Sequence, residues 1–431
     1  MPTLLSGHQP SRVHPSHGVK AAIPTCRFCD SALAHTFVDL GMSPLCESFL
    51  SRDQLNQMEP FYPLHVWVCG ECFLVQVEEF VRPDQIFDEY AYFSSYSESW
   101  LSHARRYVDG IVRRLSLDAR SRVIELGSND GYLLQWFVQR GIPVLGIEPA
   151  NNVAEAARAK GVPTLTLLFG RDTAPVIVAG HGQADLIIGN NVLAQASDLN
   201  GFVAGMKILL APGGVITMEF PHLLRLMADN QFDTIYHEHF SYFSFLTADR
   251  IFAAHGLTLF DVDELTTHGG SLRIYARHVD DSTRPVGPRV HELLAREEAA
   301  GFRMLERYTS FTEQVHETKR RLLEFFIGAR RQGKSIVGYG APGKGNTLLN
   351  YCGVRTDFLD YTVDRNPYKH GKFTPGTHIP IYPPEHTFET RPDYLFILPW
   401  NLKDEIMEQM AGIRDWGGQF VVPIPEVKVY A

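Results

Sequence analysis

The stretch that most restricts the fold lies at residues 122–148. Arg122-Val-Ile-Glu-Leu-Gly127 reads as a strand ending in glycine, Ser128-Asn129-Asp130-Gly131 as a tight turn, and Tyr132 to Gln139 as a helix. Val144-Leu-Gly-Ile-Glu148 then reads as a second strand that ends in an acid. A strand, a glycine-bearing turn, a helix and a strand with a carboxylate about 20 residues on build one half of a doubly wound parallel sheet. The turn lets a ligand approach the backbone, and a carboxylate at Glu148 can accept both hydroxyls of a ribose. A second α/β unit begins at Ser335-Ile-Val-Gly-Tyr-Gly340. There Gly338-x-Gly340-x-x-Gly343 matches the dinucleotide pattern, and Asp364 closes a strand where a ribose acid belongs. The same run is one residue short of a P-loop, because Gly345 stands where Ser or Thr would carry magnesium, and this argues against nucleotide hydrolysis. Both patterns leave a backbone loop with Lys344 placed for a pyrophosphate at a helix amino end; tight packing of the loop is the other reading. The turn-rich run from Asn366 to Pro380, with Lys369 and Lys372, and the strand end Leu395 to Asn401 would border the same site.

A chain of 431 residues is too long for one ordinary core, so two or three domains are expected. Four of the six cysteines form two C-x-x-C pairs, Cys26-Arg-Phe-Cys29 and Cys69-Gly-Glu-Cys72. Four thiolates suit tetrahedral zinc and leave no open coordination position, so the expected site is structural. It would hold together residues 25–80, a segment with too little apolar area to fold alone. A redox pair is disfavoured because no βαβ pattern surrounds either motif. Cys46 and Cys352 read as buried small hydrophobes. Residues 1–24, rich in Ser, Pro, His and Gly, read as a disordered leader. A net charge of −9 argues against nucleic acid as a partner, and no apolar run approaches the roughly 18 residues that span a bilayer. A soluble cytoplasmic protein is expected.

The first α/β unit continues with Asp185-Leu-Ile-Ile-Gly189 as a buried strand ending at Asn190-Asn191, Leu199 to Leu210 as a helix, Pro212-Gly213-Gly214 as a turn and Val215 to Phe220 as a strand. A helix closed by Leu-Leu-Ala-Pro-Gly-Gly before a hydrophobic strand resembles the class I S-adenosylmethionine-dependent methyltransferases. The resemblance implies that the loop with Gly127 and Asn129 holds the amino acid part of the cofactor and that Glu148 holds its ribose. It extends the expected cofactor contacts to Glu125, Gly131 and Asn190. A nicotinamide enzyme is the competing reading of this half.

Tyr236-His237-Glu238-His239 places four polar side chains inside an aromatic run from Phe232 to Phe245. Lying just after a sheet strand, near the carboxyl edge where open α/β sheets bind ligands, it suggests a proton-handling pocket floor. Ser241 to His255 reads as a helix. His268, in the turn His268-Gly269-Gly270, faces the same pocket or serves the turn alone. Tyr90 to Ser97 is too polar for a core strand and too aromatic for a linker, so it is an interdomain surface or a lid. Residues 284 to 330 read as one long surface helix linking domains.

Together the cysteine pairs, Glu125-Leu-Gly-Ser-Asn-Asp-Gly131, Tyr236-His-Glu-His239, His268-Gly-Gly270, Gly338-Tyr-Gly-Ala-Pro-Gly-Lys344 and Phe373-Thr-Pro-Gly-Thr-His-Ile-Pro380 resemble the three-domain sugar C-methyltransferases, which methylate nucleotide-linked keto sugars in antibiotic or surface-glycan biosynthesis. The likeness runs in order from Cys26 to the carboxyl end. It implies a small zinc-binding domain (25–80), a class I methyltransferase Rossmann-like core (81–283), and a linker helix with a second Rossmann-like α/β domain (284–431) that holds the nucleotide diphosphate of the sugar. Expected cofactors are S-adenosylmethionine and structural zinc. Substrate contacts are expected at Gly340, Lys344, Asn346, Asp364, Lys369, Thr377, His237 and Gln195. One position departs, since Gln195 stands where many members carry a histidine, and glutamine cannot take a proton at neutral pH.

The resemblance implies base-assisted carbon alkylation. A carbon next to a ketone can be deprotonated by a positioned histidine because the charge moves onto the oxygen. The base is expected at His239. Glu238 would fix its tautomer or contact the sugar, Tyr236 would stabilise the oxygen, and Tyr92 would close the site. Alternatives are a non-methylating lyase, cyclase or binding module on the same fold, a methyltransferase with a non-sugar substrate, and an oxidoreductase.

Overall fold

The computed structural model describes residues 24–82 and 93–431. Residues 1–23 of the expected leader and Tyr92 lie outside the described residues.

Three sheets organise the chain. Strands β1 (His35–Ser43), β2 (Tyr62–Val68) and β3 (Val75–Val77) form an antiparallel sheet after the first cysteine pair. The middle of the chain supplies β4 (Val123–Leu126), β5 (Val144–Ile147), β6 (Thr164–Leu165), β7 (Ala184–Asn190) and β8 (Leu210–Pro221). After β8, β9 (Ser241–Tyr242) leaves this sheet and pairs with β3, and the chain returns as β10 (Leu257–Leu265) and β11 (Ser271–His278). The middle sheet runs β6-β5-β4-β7-β8-β11-β10, with every strand in one direction except β11, which is antiparallel to both of its neighbours. This is the doubly wound sheet expected of a class I methyltransferase core, with one reversed strand next to its edge. The third sheet contains β12 (Ile336–Tyr339), β13 (Thr362–Val363), β14 (Ile381–Tyr382), β15 (Tyr394–Ile397), β16 (Gln419–Val422) and β17 (Lys428–Tyr430) in the order β14-β13-β12-β15-β16-β17. It repeats the parallel α/β plan with one antiparallel edge.

Local chemistry explains several boundaries. The helix Glu98–Leu115 starts where the Ser97 hydroxyl accepts the Trp100 N–H, and it buries Ala104, Tyr107, Val108 and Ile111, the spacing of one helical face. Pro212-Gly213-Gly214 does not break the strand as expected. Ala184 and Leu186 of β7 pair with Leu210 and Val215, so β8 bulges over these residues and continues. The helix expected from Ser241 begins only at Phe245, because the preceding residues extend the first sheet and Ser244 caps the helix by accepting the Thr247 N–H.

The expected surface helix over 284–330 is three helices, Pro288–Ala299, Leu305–Thr309 and Phe311–Arg331, interrupted around Gly301 at φ +88°. It is not a surface element. Phe311, Val315, Leu322 and Phe326 lie in one apolar core that joins β1–β3 to the third sheet. A second core joins Cys26, Cys69 and Cys72 to Ile124, Ile187 and Ile216 of the middle sheet. The amino-terminal segment is therefore packed into both α/β units. Among the described residues no helix is long and apolar enough to cross a membrane.

Candidate active site

The four motif cysteines converge. Cys26 and Cys72 bring their Sγ atoms to 3.5 Å, as do Cys29 and Cys69, and all four sulfurs lie within 4.8 Å of one another. A tetrahedral zinc with Zn–S bonds of about 2.3 Å sets its sulfurs about 3.8 Å apart, so the set fits a closed structural site. Gln76 Nε2, 3.2 Å from Cys26 Sγ, is placed to support a thiolate. None of the four cysteines borders the large cavity.

That cavity, of about 480 Å³, opens at the carboxyl edge of the middle sheet and is walled by all three parts of the chain. On the middle-sheet side it meets Gly127, Asn129, Glu148, Leu167 to Gly170 and Asn190. Gly127 has φ +65°, and a Cβ there would lie 2.9 Å from Val192 Cγ2, so the chain needs glycine to turn here. The Glu148 carboxylate accepts the Asn129 N–H at 2.9 Å and the Ala150 N–H at 3.0 Å, which fixes the loop and leaves lone pairs on the cavity side. Beside it, Leu167, Leu168 and Phe169 form an apolar wall. An acid beside a glycine turn and an apolar slot fit the ribose, amino acid and adenine parts of S-adenosylmethionine. Asn190 donates to the Tyr132 hydroxyl at 3.2 Å. Two expected contacts lie elsewhere. Glu125 is fully buried in β4, where burial, Glu148 and Asp130 push its carboxyl well above the usual range. Gly131 packs on Val162.

The tetrad forms the opposite wall because β9 must reach β3. Val77 N–H donates to the Phe240 carbonyl, and Phe240 N–H to the Ala194 carbonyl at 2.8 Å, which draws Gln195 to the cavity beside the tetrad. Tyr236, Glu238 and His239 border the cavity, and the rings of Tyr236 and His239 lie 4.2 Å apart. The Thr234 backbone next to the His239 ring favours its protonated form, and burial outweighs it. Burial, together with the charges of His268 and Lys344, lowers His239 to about 4, so the ring is neutral at pH 7. Burial and then the charge of Glu47 raise Glu238 to about 8, so it is a protonated donor at neutral pH. His237 turns away: its Nε2 lies 3.1 Å from the Pro63 carbonyl, against the first sheet.

On the third side stand Cys46, Glu47, Pro342, Gly343, Lys344 and Lys369. Lys369 Nζ donates to the Ala341 carbonyl at 2.8 Å and pairs with Glu47 at 3.5 Å. Lys344 Nζ donates to Asn401 Oδ1 at 2.7 Å. The remaining expected substrate contacts are engaged in packing. Gly340, at φ +86°, presses on Pro399; Asn346 donates to the Cys46 carbonyl; Thr377 bonds Thr374; and both oxygens of Asp364 accept backbone N–H groups of Ala341 and Asn366. Sequence reading missed Cys46 and Glu47, which carry no local motif, and the apolar wall at 167–169. His268 does border the cavity, with Nε2 3.0 Å from Asn191 Nδ2.

The chain matches three family models in succession: a zinc binding domain over residues 26–87, a methyltransferase domain over 100–262 and a C-methyltransferase C-terminal domain over 266–425. It is 36% identical over 407 residues to C-methyltransferase NovU of Streptomyces niveus, covering 94% of this chain and 97% of that one. A partial likeness, 24% over 115 residues, spans 27% of this chain and 46% of a ubiquinone biosynthesis O-methyltransferase of Rhodopseudomonas palustris (strain BisA53). Among solved structures, magnesium protoporphyrin IX methyltransferase from Synechocystis PCC 6803 with bound SAH aligns at 16% identity and TM-score 0.33, covering 44% of this chain and 90% of that one.

Proposed function

Since this chain belongs to the family of S-adenosylmethionine-dependent C-methyltransferases, we propose that it methylates a nucleotide-diphosphate-linked keto-deoxysugar at a carbon next to the ketone. The observation that carries this reading is that the Gly127–Glu148 loop, the tetrad and the Lys369 side of the carboxyl-terminal unit meet in one cavity. A methyl donor on the first and a sugar anchored by the third would bring their reacting atoms together over the second.

His239 acts as the base. With the ring kept neutral by burial, a ring nitrogen is free to take the proton from the α-carbon. The C–H electron pair becomes a C=C bond and the carbonyl pair moves to oxygen. Bound S-adenosylmethionine supplies an electrophilic sulfonium methyl for that carbon. Tyr236, beside His239, orients the substrate through its hydroxyl, and protonated Glu238 donates a hydrogen bond to a sugar oxygen. Gln195 borders the cavity and, unable to ionise, selects substrate by hydrogen bonding. Lys369 and the amino end of the helix Gly343–Cys352 face the diphosphate.

Mass analysis tests the reading. The protein is incubated with trideuteromethyl-labelled cofactor and a panel of thymidine- and uridine-diphosphate keto-deoxysugars. A labelled methyl on the carbon next to the ketone is expected for at least one. Transfer only to acceptors that lack a ketone would overturn the proposal.

A further inference from the structure

We propose that Lys344 is a catalytic residue whose ammonium hydrogen-bonds the substrate's ketone oxygen and stabilises the negative charge that gathers there on deprotonation. This deepens the ketone reading above and rests on it. By its spacing, Lys344 is a pyrophosphate lysine behind a glycine loop, but the structure turns its side chain elsewhere. The loop glycines serve packing: a Cβ at Gly340 would lie 2.6 Å from Pro399, one at Gly343 2.8 Å from Cys46 Sγ and one at Gly345 2.9 Å from Leu398. The Gly340 N–H is already given to the Val363 carbonyl.

The Lys344 side chain instead runs along Trp400, its Nζ 4.6 Å from the ring centre and 2.7 Å from Asn401 Oδ1. Trp400 is fixed in turn. Its Nε1 donates to Asp233 Oδ2 at 2.7 Å, and its edge would lie 2.6 Å from a Cβ at Gly269, beside His268. The ammonium is thus held at the histidine end of the cavity, close enough for its charge to disfavour protonation of both His239 and His268. Among the described residues no carboxylate forms a direct ion pair with it: Asp233, whose charge acts on it, accepts from Trp400, and the hydrogen-bonded acceptor of the ammonium is the neutral amide of Asn401. Lys369, on the same cavity, differs because it forms an ion pair with Glu47 and donates to the Ala341 carbonyl.

An ammonium has three donors, and a partly buried cation with no carboxylate in direct contact gains when an anion arrives beside it. A ketone oxygen is neutral in the bound substrate and becomes anionic as His239 removes the proton, so the contact strengthens in the transition state. The two histidines stay neutral beside it, which preserves the base. Burial also lowers Lys344 to about 8, leaving it charged at neutral pH.

Exchange at the α-carbon separates this role from phosphate binding. The protein is saturated with S-adenosylhomocysteine in D₂O, and deuterium uptake by thymidine-diphosphate 4-keto-6-deoxyglucose and its uridine counterpart is followed by NMR. Lys344→Gln is expected to slow uptake roughly 100-fold or more, the usual effect of losing one oxyanion donor. Affinity for thymidine diphosphate and uridine diphosphate and the melting temperature stay near wild type, and Lys344→Arg recovers part of the rate. Wild-type uptake in Lys344→Gln, or a loss of nucleoside diphosphate affinity that matches the loss of rate, overturns the proposal alone. If the wild type exchanges neither sugar and methylates only non-ketone acceptors, the ketone reading fails first and takes this proposal with it.

Discussion

Glu238→Gln should make the ligand-free protein more stable at pH 8 and change its stability little at pH 5. The carboxyl sits in the cavity wall at 5% exposure, with the Cys46 thiol 3.6 Å from Oε1 and the charge of Glu47 nearby. Its ordinary value of 4.5 rises to about 8 in the fold. The folded chain therefore binds a proton between these two values that the unfolded chain releases, and stability falls as pH climbs through this window. Each pH unit is worth about 1.4 kcal/mol, which sets a ceiling of roughly 5 kcal/mol across the window. Water in the cavity screens part of this, and about 2–4 kcal/mol is expected. Gln keeps the shape and hydrogen-bonding capacity without titrating, so the variant should lose this slope. Urea unfolding at pH 5, 6, 7 and 8 measures it. Infrared difference spectra at pH 6.5 should also show a protonated carboxyl that the variant lacks. Parallel stability profiles for the two proteins, or no such band in the wild type, would refute the reasoning.

His239→Asn should lower turnover by about 10²- to 10⁴-fold while S-adenosylhomocysteine still binds, as read by single-turnover kinetics and calorimetry; near-wild-type turnover removes His239 as the base. His237→Asn, a change on the side facing Pro63, should leave turnover within a few-fold and cost about 1 kcal/mol in unfolding free energy, so a large loss of rate would contradict the observed orientation. Gly127→Ala forces a side chain into φ +65° against Val192 and should weaken S-adenosylhomocysteine binding about tenfold in a titration, from strain of roughly 1–2 kcal/mol. Cys26→Ser should abolish bound zinc by elemental analysis and lower the melting temperature, because the cysteines pack into the middle-sheet core; unchanged melting without zinc would count against a structural site.

Features carried by short, local patterns were legible in the chain. Gly127 and Glu148 could be located because a strand, a turn and a strand of fixed length bring them together whatever lies around them. The cysteine pairs were legible because zinc geometry leaves few other uses for four thiols. Helix continuity over 284–330 was misread, since an amphipathic pattern looks alike on a surface helix and on three helices packed into the cores beside the sheets.

By itself, then, the sequence determined two α/β units, a cysteine cluster, and a polar tetrad at the edge of a sheet, because each depends on residues near one another in the chain. Only the tertiary structure decided which tetrad members face the cavity. That followed from β9 crossing to pair with β3, a contact between residues 75–76 and 241–242 that no local period encodes. Distant packing likewise turned a lysine that reads as a phosphate ligand toward Trp400 and the histidines, and brought Cys46 and Glu47 into the same wall. Side-chain direction in a site built by three segments is set by the surfaces that meet there, and those surfaces exist only once the chain has folded.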